Sequence, residues 1–265
     1  MKPLLACTTE ELALLVTFCG YPEVGKGIAE SSMGGLTPEK WESVMQATIH
    51  QLMLKQIWDY EREVNNEVPI SKEMETFIKS YVGSRWMIRC SSVPEQHILM
   101  IHKIDEEIWL SHLIDRDIIH EFAYITSEEL ASHIKEYYSF QDIDFADDMS
   151  FQLTENDFDL LSNRSNISGL EAYTYLSSEE SKAFNEFTNS LDLKQWSLNN
   201  ISMFNLPDLD ADPMLTNIVF FLPSLKGIWI VEYTNESERP IHINLRSNEV
   251  WEDMLDGLGQ IASDL

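Results

Sequence analysis

Asn217 to Arg246, NIVFFLPSLKGIWIVEYTNESERPIHINLR, reads as three strands in succession. Ile218–Leu222 is a short apolar run stopped by Pro223. Gly227–Thr234 is rich in β-branched and aromatic residues, and Ile241–Leu245 follows the turn-forming Thr234-Asn235-Glu236-Ser237. A helix is expected next, with Ser247 as N-cap and Val250, Trp251, Met254, Leu255 and Leu258 as its buried stripe. No step in this unit carries catalytic chemistry.

The unit has an echo about 120 positions upstream, the spacing of an internal duplication. His97–Ile101 answers Asn217–Phe221, Ile108-Trp109-Leu110 answers Ile228-Trp229-Ile230, and Ile118–Ile125 answers Ile241–Leu245. Thr126-Ser127-Glu128-Glu129 spells a capping box for a helix matching the one after Ser247. The expectation is an α+β fold of two pseudo-repeated modules around a central sheet, each with helices, an antiparallel β-meander and a closing helix. Residues 1–140 form the N-terminal module, 141–150 an acidic linker and 151–265 the C-terminal module, integrated into one domain.

Working outward, Thr8 or Thr9 caps a first helix that buries Leu12, Leu15, Val16 and Cys19 and stops at Gly20. Tyr21–Leu36 reads as a loop, Thr37-Pro38 opens a second helix through Leu52, and Asp59–Glu67 reads as another loop. Ser71–Val82 is a third helix, and Trp86–Arg89 opens the first sheet. Thr154 caps one short helix and Ser177 or Ser178 another, before a strand within Leu193–Phe204.

Composition narrows the function. With 45 acidic against 18 basic residues the net charge is −27, a field that repels nucleic-acid phosphate and anionic lipid, so neither is an expected partner. A hydrophobic fraction of 44% describes a globular chain, and no apolar run is long enough to span a bilayer. Cys7, Cys19 and Cys90 have no metal or disulfide spacing, which fits a reducing cytoplasm.

Sites with recognisable chemistry are weak throughout. Gly20-x-x-x-x-Gly25-Lys26 has the frame of a phosphate-binding loop, but Gly27 stands where Ser or Thr must hold Mg²⁺ and no strand precedes it. Asp208, Asp210 and Asp212 alternate like the start of a calcium loop, yet Pro213 and Val219 occupy the positions that require Gly and Glu. His97, His102, His112 and His120 lie on neighbouring strands, so a cluster across the sheet is geometrically possible without the spacing of a zinc site. Most tryptophans fall on apolar faces. Trp58, near a helix end, is the one read as free to face a partner. No catalytic residue, metal or cofactor is assigned, and the chain is read as non-enzymatic.

The order of elements resembles the EspG family, the cytosolic chaperones of mycobacterial type VII (ESX) secretion systems. The stretches that carry the resemblance are TTEELALLVTFCG, TPEKWESVMQATIHQL and ISKEMETFIKSYVGSRWMIRCSS, where a short helix runs into the first strand. The resemblance implies a quasi-two-fold fold and a cytoplasmic adaptor for secreted helical-hairpin proteins, held by the second half and the central sheet. Independently, the loop from Met203 strands apolar residues among aspartates and prolines: Met203, Phe204, Leu206, Leu209, Met214 and Leu215 form the candidate partner-binding set. The alternative reading is an acidic antitoxin or immunity protein that masks a basic toxin.

Overall fold

A computed structural model describes residues 4–35, 37–92, 97–139, 148–208 and 211–264. The chain divides into two compact units that are discontinuous in sequence. One comprises Met1–Ile88, His97–Thr126 and Phe204–Met214; the other comprises Arg89–Gln96, Ser127–Met203 and Leu215–Leu265. The division expected at residues 140 and 151 is therefore not where chain contacts divide. Residues 140–147, the centre of the proposed linker, lie outside the described residues.

The first unit opens with β1 (Leu5–Thr8), which runs directly into α1 (Thr9–Phe18). Thr8 caps the helix through a capping box with Glu11. Four of its successive residues, Leu12 to Leu15, are buried, so α1 is a core helix and not an amphipathic surface one. Packed on it is α2 (Pro22–Met33), a helix where a loop was expected. Pro22 begins it at the position where a missing N–H costs nothing. Gly25 fits α2 against α1: a Cβ there would lie 2.3 Å from Thr17 Oγ1 and 2.6 Å from the Ala13 carbonyl. The Gly25-Lys26 pair thus sits inside a helix, which removes the phosphate-loop frame.

Next come α3 (Pro38–Leu54), α4 (Tyr60–Val64) and α5 (Lys72–Gly83). α4 lies where Asp59–Glu67 was expected to be loop; Asp59 caps it by accepting from the Arg62 N–H at 3.1 Å. Trp58, expected to be free, is buried, with its ring edge-on to Phe18 and its Nε1–H donating to Glu63 at 3.0 Å. After β2 (Trp86–Ser91), which passes into the second unit at Arg89, the strands β3 (His97–Lys103), β4 (Ile108–Asp115) and β5 (Ile119–Thr126) form the meander, and β1 adds to it along β5. The strand order is β1-β5-β4-β3.

In the second unit, α6 (Leu130–Tyr138) follows a 3₁₀ turn at Ser127–Glu129, so the helix starts later than the Thr126 capping box predicts. It packs on the closing helix of its own unit rather than staying with the meander before it, which is why the contact boundary falls at Thr126. β6 (Ser150–Leu153) leads through the Thr154 cap into α7 (Glu155–Leu160), then α8 (Ala172–Tyr175) and α9 (Ser178–Leu193), the last with a Ser177/Glu180 capping box. β7 (Asn199–Asn205), which leaves this unit at Phe204, β8 (Met214–Ser224), which re-enters it at Leu215, β9 (Gly227–Tyr233) and β10 (Ile241–Arg246) precede α10 (Asn248–Asp264). Strand order here is β6-β10-β9-β8. Trp251, Leu255 and Leu258 of α10 are buried as expected, whereas Val250 is exposed because it falls off that stripe.

The fold is α+β, and the internal repeat is legible in the register. Trp109 pairs with Ile125 and Trp229 with Leu245, so both partners have moved by 120 residues. In the first hairpin of each meander the repeat slips by one. Ile101 pairs with Ser111 and Phe220 with Val231, displacements of 119 and 120 residues. The connection between paired Leu222 and Trp229 is one residue longer than that between Lys103 and Trp109. Matching His97–Ile101 to Asn217–Phe221 by sequence is therefore one residue out of step with the pairing.

Candidate functional site

β8 carries eleven residues, MLTNIVFFLPS, whose two ends differ in environment. Phe221 and Leu222 are fully buried; Met214 to Asn217 are exposed. Its second half pairs antiparallel with β9, from Phe220↔Val231 to Ser224↔Gly227. The turn is tight: Ser224 Oγ donates to the Gly227 carbonyl at 2.9 Å and accepts from the Lys226 N–H at 3.2 Å.

Upstream of Phe220 the two strands line an open groove of about 670 Å³, formed by Leu215–Val219, Ile230–Thr234 and Met254 of α10. Leu215, Ile218, Val219, Ile230 and Met254 make most of the surface apolar. Glu232 supplies the charge and accepts from Asn244 Nδ2 at 2.8 Å. The phenol of Tyr233 is pushed up by burial and by Asp159 and Glu155, so it remains a neutral donor. The groove can hold apolar side chains beside a carboxylate and a phenol; among its lining residues there is no Ser–His, Cys–His or paired-carboxylate arrangement.

The expected set of partner-binding residues is dispersed. Met203 is buried in β7, and its carbonyl accepts from Thr216 Oγ1 at 3.1 Å. Phe204 and Leu206 are half-buried, with the Leu206 N–H donating to the Arg85 carbonyl at 2.7 Å. Leu209 lies outside the described residues, as does Asp210. Met214 and Leu215 are 59% and 52% exposed, and Leu215 lines the groove. The sequence reading places Ile218, Val219 and Ile230 in strands and Met254 on a buried helix stripe, and assigns none of them to the candidate set. Asn217 and Glu232, polar residues within otherwise apolar strands, were the signal available.

A second cavity of about 560 Å³ lies in the same unit between the C-terminal half of α9, the β8–β9 turn and the end of α6. Leu193 and Leu225 line it at 77% and 85% exposure, and Glu186 of its wall pairs with Lys226 at 3.1 Å.

In the first unit His102, His112 and His120 do come together, while His97 is exposed and pairs with Asp115 at 2.9 Å. Among the described residues no group of three His, Cys, Asp or Glu side chains could hold a metal ion. All three cysteines are buried; burial pushes the Cys7 and Cys90 thiols up to about 12 and Cys19 to about 11, which suppresses the nucleophilic thiolate. No helix is long and apolar enough to cross a membrane, among the described residues.

The fold is similar to that of a type VII secretion chaperone. It matches Mycobacterium tuberculosis EspG5, solved in complex with the PE25–PPE41 dimer, over 95% of this chain and 94% of that one, with a TM-score of 0.54 and 10% sequence identity. At that identity the likeness is one of fold. In sequence, the family model described as "Uncharacterised protein YfjC" matches residues 6–252, and the chain belongs to that family. No curated protein matches it.

Proposed function

We propose that this protein is a non-enzymatic, cytoplasmic chaperone or adaptor that holds an apolar segment of a secreted helical partner protein in the groove between β8 and β9. The observation that carries the reading is an open apolar groove in a chain with the fold of a secretion chaperone. Methionine and leucine at its edge suit a surface that accepts related helices, being flexible and weakly shape-specific. A type VII-like system is the setting that the fold likeness favours, and no cofactor is needed for binding of this kind.

The second reading, neutralisation of a basic toxin, rests on the net charge of −27. Salt separates the two. Co-purification with helical-hairpin proteins encoded beside its gene, repeated between about 0.1 and 1 M NaCl, distinguishes apolar capture from charge masking. Capture that survives high salt supports the chaperone. Steep loss supports the toxin reading. Partners that stay soluble and unbound without it overturn both.

A further inference from the structure

The first unit contains a hydrogen-bond chain whose direction the atoms dictate. The Thr9 hydroxyl lies 2.8 Å from the Asp117 carbonyl and 3.3 Å from the Ile118 carbonyl, both of which can only accept, and the shorter contact is assigned its single proton. Thr9 Oγ1 must then accept from His120 Nε2, 3.0 Å away. That leaves Nδ1 of a neutral His120 as an acceptor, and at 2.8 Å it takes the Nε2–H of His112. The chain ends at His112 Nδ1, a buried lone pair with no hydrogen-bond partner. Arg116 and Asp117, both at positive φ (52° and 57°), form the tight turn that presents the terminal carbonyl.

This chain joins two strands, β4 and β5, to the N-terminal helix, beside the pairing of β1 with β5. Cys7 of β1 sits opposite His120 in register, Thr9 begins α1, and His112 and His120 belong to β4 and β5. The Thr9 N–H also donates to the Ile118 carbonyl at 2.9 Å, and the Leu4 N–H to Phe122 at 2.8 Å. Around the imidazoles stand Tyr81 of α5, edge-on to His102 and His112, and Phe122, stacked on His112 at 4.1 Å. His102 of β3 stacks at 5.8 Å.

We propose that Thr9, His120 and His112 form an acid-operated latch, which holds β1 and the start of α1 on β5 at neutral pH and releases them when a proton enters the chain. An added proton has no satisfactory place. On His120 Nδ1 it sets two N–H groups head to head at 2.8 Å. If His112 answers by changing tautomer, its Nδ1–H becomes a buried donor without an acceptor, and a proton placed directly on His112 Nδ1 has the same result. The charged groups facing His120 are Glu10 and Asp117, which favour the imidazolium; burial outweighs them. For His112 the neighbouring imidazoles His102 and His120 add to burial in resisting charge. Cys7 and Tyr81 are held neutral by burial and offer no counter-ion. Detaching β1 admits water to the chain and relieves every one of these states.

Amide hydrogen exchange on the full chain, corrected for intrinsic rates, tests this between about pH 7.5 and pH 5. The Thr9 and Leu4 amides should lose protection on acidification by up to about tenfold per pH unit, the signature of one linked proton. Amides of β3 and β4 should lose less. In His120→Gln the acid-induced loss should shrink by at least half, since only His112, the harder of the two to charge, can still take the proton. Equal protection of β1 and β3–β4 at the acid end overturns the latch, as does acid loosening that is undiminished in the variant. If His120→Gln does not fold, imidazole nitrogen shifts of the wild-type chain decide: both histidines should be neutral at about pH 7 with Nδ1 unprotonated, and a charged His120 there overturns the proposal.

Discussion

Glu11 and Asp157 hold the same place in their two units. Each lies three residues after a threonine that joins a four-residue edge strand to the helix it caps, Thr8 as the last residue of β1 and Thr154 as the residue that follows β6. Each is fully buried. The repeat therefore extends beyond the meander to the strand and cap in front of it. What the two carboxylates grip differs. Glu11 Oε2 accepts from the Thr8 N–H at 2.9 Å and from Lys55 at 2.6 Å. Asp157 accepts from the Glu171 N–H at 2.9 Å, the Tyr175 hydroxyl at 2.5 Å and the Thr154 hydroxyl at 3.1 Å.

Asp157→Ala should destabilise more than Glu11→Ala. The first leaves a phenol and a backbone N–H without their acceptor, a loss of about 2–4 kcal/mol. The second removes a cap and one ion pair whose lysine is half exposed, about 1–2 kcal/mol. Lys55→Ala should cost no less than Glu11→Ala, since it leaves the fully buried Glu11 carboxylate without its counter-ion. Urea unfolding of the three variants checks the ranking; a reversed order means that Glu11 carries more than its cap.

Two glycines in α2 should respond in opposite directions. Gly25→Ala forces a methyl group onto the Ala13 carbonyl and Thr17, costing about 1–3 kcal/mol. Gly27→Ala meets nothing within 4 Å and should stabilise the helix by about 0.5–1 kcal/mol. Thermal melts of both variants read the difference. If Gly27→Ala destabilises, residues 22–33 do not hold the helix described here.

Those two glycines also explain why α2 was read as a loop: lacking side chains, they deplete the helical pattern, and only the packing against Ala13 reveals their use. Caps were legible, Thr8, Thr154, Ser177 and Ser247 among them, because a hydroxyl before an apolar periodicity is a local signal. β1 and β6 were not, since four residues such as LACT or SFQL carry too little alternation to declare a strand. Trp58 was misjudged because its burial depends on Phe18, forty positions earlier. As for the groove, alternation says which face of β8 is apolar but not where its pairing with β9 stops.

Stability should fall on the acid side of neutrality. Burial lowers His102 from about 6.5 to about 4, and lowers His112 as well. A depressed imidazole is bound to its proton in the unfolded chain first, so its contribution is intact above about pH 6.5 and is lost as pH falls toward about 4. For His102 alone this amounts to about 3 kcal/mol. His102→Phe, which also removes a buried Nε2 that has no partner, should flatten that slope in urea titrations across the acid range. An unchanged slope would place the acid sensitivity elsewhere.

The groove makes the sharpest test of the proposed function. Leu215 is half exposed on its wall, so Leu215→Asp should shift stability by no more than about 0.5 kcal/mol. Binding is a different matter: a carboxylate facing an apolar partner in a groove that already holds Glu232 leaves a charge desolvated and unpaired. Partner capture should fall at least about tenfold, with the melting temperature nearly unchanged. Leu193→Asp and Leu225→Asp, in the lining of the other cavity of the same unit, provide the matched control, being more exposed still. If those two abolish capture and Leu215→Asp does not, the partner sits between α9 and the β8–β9 turn. If none of the three affects capture, neither cavity is the docking surface and the chain's acidic exterior becomes the stronger candidate.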